Sequence, residues 1–165
     1  MIEIALSVLS LAACYKWGAW RRWREFYPSI LYLISGNLAY NYVFHEFLLW
    51  EYKSFFGHTF TGLIINFIIY PPVVILYLAN YPQTRVKQAL YILAFSAAGT
   101  LIEAAALITG GIYYENGWTI IWSFVLFIGL FALVRLHYKR PLLVWPISLA
   151  LGVMFAIIFR LPYPP

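Results

Sequence analysis

An all-helical bundle that crosses a membrane is the fold class predicted for this chain of 165 residues, and three observations predict it. Hydrophobic residues make up 64% of the chain and charged residues 10%, against roughly 45–50% and 25% in a soluble domain. A water-soluble fold is excluded. Six stretches approach the about 20 apolar residues that span roughly 30 Å of hydrocarbon. The basic residues, finally, fall in alternate connectors. A chain of this size makes one transmembrane helical domain over residues 1–165, with no room for a separate aqueous domain.

The six spans are read at residues 2–17, 27–50, 59–81, 89–112, 118–136 and 142–159, each bounded by charges, Pro, Gly or interfacial aromatics. Their connectors are short, so neighbouring helices are expected to be antiparallel. In the first span Leu11-Ala12-Ala13-Cys14 is like a lipoprotein cleavage site. A signal peptide, however, carries its positive charge before the apolar run, whereas here Glu3 precedes it and the basic cluster follows, so the span is expected to stay uncleaved. In the third span Pro71-Pro72 lacks two amide donors, which frees the carbonyls of Phe67 and Ile68 and predicts a bend. Helix contacts are expected along Ser96, Gly99, Thr100, Ala106 and Gly110 in span four, and along Ser148, Gly152 and Ala156 in span six, because close backbone approach drives association in lipid.

Lys16, Arg21, Arg22 and Arg24 follow span one, Arg85 and Lys87 separate spans three and four, and Arg135, Lys139 and Arg140 follow span five. Only Lys53 and Arg160 fall on the other side. Basic residues gather on the cytoplasmic face, which places both termini outside and makes the protein a multi-pass component of a cytoplasmic membrane. Glu3, Glu51 and Glu115 then lie at the outer surface. Trp17, Trp20, Trp23, Tyr81, Tyr138 and Trp145 mark the inner interface, and Trp50, Tyr113, Tyr114, Trp118 and Tyr163 the outer one. The net charge of +5 is dispersed beside apolar spans, which suits anionic headgroups and argues against nucleic acid.

Several chemistries are excluded by residue type. All six acids are Glu, so Asp-rich metal–diphosphate clusters are absent, and a lone Cys14 makes neither an internal disulfide nor a thiolate metal site. No phosphate-cradling loop, His-Glu-x-x-His or Gly-x-Ser-x-Gly occurs, and no cofactor is expected. The polar candidates are Asn37, Asn41 and His45, whose four-residue spacing drifts only about 40° per step and lines one face of span two, with Asn66 in span three and Glu103 in span four. Counted at about 1.5 Å per residue from the outer ends, His45 lies roughly 7 Å deep, Asn66 9 Å, Asn41 12 Å and Glu103 14 Å. They are expected to converge in the outer half of the bundle, with Glu103 either protonated or hydrogen-bonded to partners such as Asn41, Asn66 or His45. Such groups also join helices through ordinary hydrogen bonds. His58 and His137 read as ordinary interfacial residues.

Thr100-Leu101-Ile102-Glu103, Gly111-Ile112-Tyr113-Tyr114-Glu115-Asn116-Gly117-Trp118 and Leu136-His137-Tyr138-Lys139-Arg140-Pro141 together resemble an uncharacterised family of small polytopic membrane proteins of spore-forming Gram-positive bacteria. The basic cluster Trp20 to Arg24 and Tyr81-Pro82 fit the same pattern. The resemblance implies a bacterial cytoplasmic membrane and marks Glu103, and it carries no established activity. The sixth span is less typical of it.

The leading expectation is a non-enzymatic membrane protein that binds or conducts a small solute, proton or lipid headgroup, with Glu103 as protonatable centre and Asn37, Asn41, His45 and Asn66 as partners. One alternative is an intramembrane enzyme on a lipid or isoprenoid, with Glu103 as general acid and aromatic walls stabilising a cation. Another is an accessory subunit docking on a larger complex. Partners expected are the bilayer and an unidentified small molecule or lipid, with self-association or a membrane partner protein left open.

Overall fold

A computed structural model describes residues 2–53 and 55–162, and its architecture follows from where apolar runs meet turn and strand formers. Among the described residues the chain is mostly helical: α1 (Ile2–Trp17), α2 (Trp23–Val43), α3 (Gly57–Ile64), α4 (Tyr70–Ala79), α5 (Arg85–Ile108), α6 (Ile120–Lys139) and α7 (Pro141–Ile158), with a π-helical turn, Ile65–Ile69, joining α3 to α4. The continuous rod Gly57–Ala79, α5, α6 and α7 are long and apolar enough to cross a membrane. At 16 residues, α1 reaches only about 24 Å, and α2 is diluted by Arg24, Glu25 and its two Asn. Leu101, Ile108, Ile121 and Leu142 are at least 70% exposed. Helices so apolar on their outward faces are matched to lipid, not water.

The rods pack in a defined order. α1 lies on α4 and the π turn, α2 sits between α4 and α6, α6 carries α5 along its length, and α7 packs on α6. One core gathers Phe26, Tyr77, Leu78, Phe131, Val134 and Val144, and a smaller one at the other end of the bundle gathers Phe44, Leu49, Trp118 and Phe159. Asn80 Nδ2 donates to the Trp17 carbonyl at 3.0 Å, tying the C-terminal ends of α1 and α4.

Two helices end earlier than hydropathy predicts. α2 stops at Val43 instead of residue 50, and α5 at Ile108 instead of 112. Starting at those expected ends, β1 (Trp50–Tyr52) and β2 (Ile112–Tyr114) pair antiparallel, Glu51 opposite Tyr113. Aromatic and β-branched residues favour such a ladder, and a short apolar run reads the same whether it continues a helix or forms a strand. The stop at α5 is chemical: Gly110, at φ 71°, lets the Gly111 amide reach the Ala106 carbonyl and the Gly110 amide reach that of Leu107, closing the helix with a left-handed cap.

The interruption at Pro71-Pro72 takes the form of the π turn. With no amide on either proline, the Tyr70 amide bonds back to the Ile65 carbonyl, five residues away, and the extra residue rotates the side chains around it. Glu3 departs from expectation: it is 8% exposed, on the first turn of α1 where that helix meets the α3–α4 rod, and the positive end of the helix favours an acid there.

Both small-residue stripes meet neighbours, since Ser148 Oγ lies 2.7 Å from the Tyr32 hydroxyl and Ala156 packs against the cluster of Phe44, Leu49, Trp118 and Phe159, but their glycines differ. A Cβ on Gly99 would come within 3.2 Å of the Phe127 ring, whereas nothing lies within 4 Å of the same position on Gly152. Gly99→Val is therefore expected to lower stability by about 1–3 kcal/mol through overpacking, and Gly152→Val by less than about 0.5 kcal/mol, read by unfolding both variants in detergent. Equal effects would remove the α5–α6 contact from the account.

Candidate functional site

Three asparagines converge where α2 faces the π turn. Asn37 Oδ1 accepts from Asn41 Nδ2 at 2.9 Å and from Asn66 Nδ2 at 3.1 Å, and Asn37 Nδ2 donates to the Tyr70 hydroxyl at 3.3 Å. Four-residue spacing stacks Asn37 above Asn41, and the π turn brings Asn66 and Tyr70 onto the same side. His58 completes the cluster from α3, its Nε2 being 3.3 Å from Asn41 Oδ1.

Every amide in this network has its orientation imposed from the backbone. The Tyr52 amide donates to His58 Nδ1 at 3.2 Å, so that nitrogen carries the lone pair, and the Nε2 proton goes to Asn41 Oδ1. Asn41 Nδ2 also donates to the Asn37 carbonyl at 2.8 Å, and a carbonyl only accepts. The atom Asn41 Nδ2 meets on Asn37 is consequently Oδ1, and the atom Asn66 turns toward it is Nδ2. Asn66 Oδ1 is left over. It is buried with no hydrogen-bond partner among the described residues, on a side chain 1% exposed, where an unmet acceptor costs about 1–3 kcal/mol.

Asn66 also lines a cleft of about 500 Å³ between α2 and α3, within the roughly 300–1,000 Å³ of small-molecule sites. Asn41, His58, Thr59 and Asn66 give it a polar side, and Leu38 and Leu63 an apolar one. The chain matches no protein-family model, no curated protein and no solved structure. The site is therefore argued from its own chemistry.

Glu103 does not join the asparagines. It is carried by α5, which packs chiefly on α6, and its Oε1 accepts from Ser123 Oγ at 2.5 Å and from the Tyr114 hydroxyl at 2.6 Å. Ser123 Oγ in turn accepts from Trp118 Nε1 at 2.8 Å. The carboxyl is thus half-buried and accompanied, but by α6 and β2 instead of Asn41, Asn66 or His45. Burial, and then the bond to Glu103, raise the Tyr114 phenol above its ordinary pKa, which keeps it a donor. Tyr70, bonded to Asn37, and Tyr52 lie within electrostatic reach of Glu103. The pKa of Tyr52 is raised, by burial first and by Tyr70 and Glu103 after it.

His45 is also displaced. Its expected depth assumed helix to residue 50, but α2 has ended two residues earlier, and the imidazole is 67% exposed in the following turn, with Nδ1 2.9 Å from the Tyr42 carbonyl and Nε2 3.4 Å from Glu46. It stands at the rim of the cleft. Two histidines read as interfacial are instead built in. His58 is the network member just described, and its signal was its position seventeen residues after Asn41, legible only once the intervening strand is known. His137 is 5% exposed, stacked on Tyr32 with ring centroids 4.5 Å apart and 3.1 Å from Ser29 Oγ. Among the described residues no three His, Cys or Glu side chains gather as a metal site requires. Tyr163, expected at the outer interface, lies outside the described residues.

Proposed function

We propose that this is a multi-pass protein of a bacterial cytoplasmic membrane, with six spans and both termini outside, that binds a small solute or lipid headgroup in the cleft between α2 and α3. The basic connectors support the orientation, and the lipid-matched faces of α5, α6 and α7 support the embedding. The ligand carries at least one N–H or O–H donor and no negative charge, because the group awaiting it is an amide oxygen. The orphaned Asn66 Oδ1 is the observation that carries this reading: Asn37, Asn41 and His58 bond one another or the backbone, and a native buried acceptor without a partner calls for one. Glu103, bonded into another part of the bundle, organises α5 against α6 and is not the binding group.

The test uses a monoacylglycerol as probe, a chain for the apolar wall with hydroxyls for the polar one, alongside its dimethyl ether. The wild-type protein in detergent is expected to bind the alcohol saturably and the ether about tenfold or more weakly, since the ether leaves the acceptor unmet. Asn66→Leu should bind both alike. Equal wild-type affinity for alcohol and ether would falsify the assignment.

A further inference from the structure

The opposite end of the bundle holds a second cavity, of about 350 Å³, between the first turn of α5 and the last turns of α6, lined by Tyr81, Gln88, Ala132, Arg135, Leu136 and Lys139. Its charge is unbalanced. Of the six glutamates only Glu25 belongs to this end, and Arg22 grips it from Nε at 2.6 Å and Nη2 at 2.5 Å. The Arg135 guanidinium lies 4.2 Å over the Tyr81 ring and 5.5 Å from that of Tyr138, so its face is covered by aromatic surface. Its N–H edge has no hydrogen-bond acceptor among the described residues. Lys139 is one turn further along the same face of α6. Gln88 is held as a wall by donating to the carbonyls of Pro82 at 3.1 Å and Gln83 at 3.3 Å.

A stacked guanidinium with a free edge presents the planar fork that engages phosphate oxygens in pairs, and an ammonium beside it adds a second charge. From these observations we propose that this cavity is a binding site for the phosphate of an anionic phospholipid of the inner leaflet. A lipid is favoured over a soluble phosphate because α5 and α6 leave the cavity as exposed apolar helices, a surface along which acyl chains lie. The inference rests on the membrane orientation proposed above and is independent of the outer cleft.

Native mass spectrometry of the detergent-solubilised protein, titrated with phosphatidylglycerol, phosphatidylcholine and glycerol 3-phosphate, tests it. Phosphatidylglycerol is expected to bind saturably and in preference to phosphatidylcholine. Its affinity should fall about 30-fold in Arg135→Gln/Lys139→Gln, since each basic group near an anionic headgroup contributes about fivefold. Lys139→Gln alone, at an exposed position, should show about fivefold and guards against misfolding of the double variant. Asn66→Leu should bind phosphatidylglycerol as the wild type does, which separates failure here from failure at the outer cleft. Equal binding of the two lipids, undiminished binding by Lys139→Gln, or displacement of the lipid by equimolar glycerol 3-phosphate would each overturn the proposal.

Discussion

Ser123→Val is expected to destabilise the protein by about 3 kcal/mol, the largest loss from any single polar substitution in the bundle. Ser123 is 1% exposed and serves as both donor and acceptor: its hydroxyl proton goes to Glu103, and its oxygen receives the Trp118 indole N–H. Valine has a similar size, so no cavity is opened. The loss is instead that of leaving a buried indole donor unpaired, about 1–3 kcal/mol, together with the hydrogen bond to the Glu103 carboxyl. Membrane-embedded bonds average less than this, but Trp118 is anchored among Trp50, Trp122, Phe155 and Phe159 and has no room to turn toward water. Glu103→Gln keeps an oxygen where both hydroxyls point and should lose no more than about 1 kcal/mol. Reversible unfolding of both variants in mixed micelles checks the contrast; Ser123→Val within about 0.5 kcal/mol of wild type would mean that this cluster does not hold α5 to α6.

The asparagine cluster predicts an opposite pair of outcomes for two residues that look alike. Asn37→Leu removes the acceptor shared by Asn41 and Asn66 and the donor to Tyr70, and is expected to lower stability by about 2–3 kcal/mol. Asn66→Leu removes one donated bond but also the orphaned oxygen, and Asn37 Oδ1 keeps its bond from Asn41. It should change stability by less than about 1 kcal/mol, or raise it, although Asn66 is the more deeply buried. A group retained at a cost to stability and lost without penalty is the signature of a binding site. The same unfolding measurement applies, and Asn66→Leu being as damaging as Asn37→Leu would assign Asn66 a purely structural role.

Much of the fold was legible. Six helical rods, their approximate centres and the break before Pro71-Pro72 all follow from apolar length and missing amide donors. The candidate site was legible in part: Asn37 and Asn41 on one face of one helix is a matter of spacing, and both do line a polar network with Asn66. The convergence of Glu103 and His45 on that network was not legible, because depth along a span does not tell which neighbour a helix faces. Counting from residue 50 also carried His45 into a helix that had already ended. His58 went unrecognised for the same reason, since its partner amide, that of Tyr52, exists in that place only because β1 pairs with β2.

By itself, then, the sequence determined that this chain is a predominantly helical protein with lipid-matched spans, which groups in it are polar enough to matter, and where prolines deny the backbone its bonds. These are properties of composition and of local periodicity, and they hold whatever the helices pack against. Tertiary structure alone decided that α5 turns Glu103 to Ser123 and Tyr114, that the asparagines orient one another until one carbonyl is left over, and that Arg135 lies flat on Tyr81 with its edge free. Each of those depends on rotation about a helix axis and on a partner tens of residues away, and an apolar helix facing lipid on several sides leaves no periodicity from which that rotation can be read.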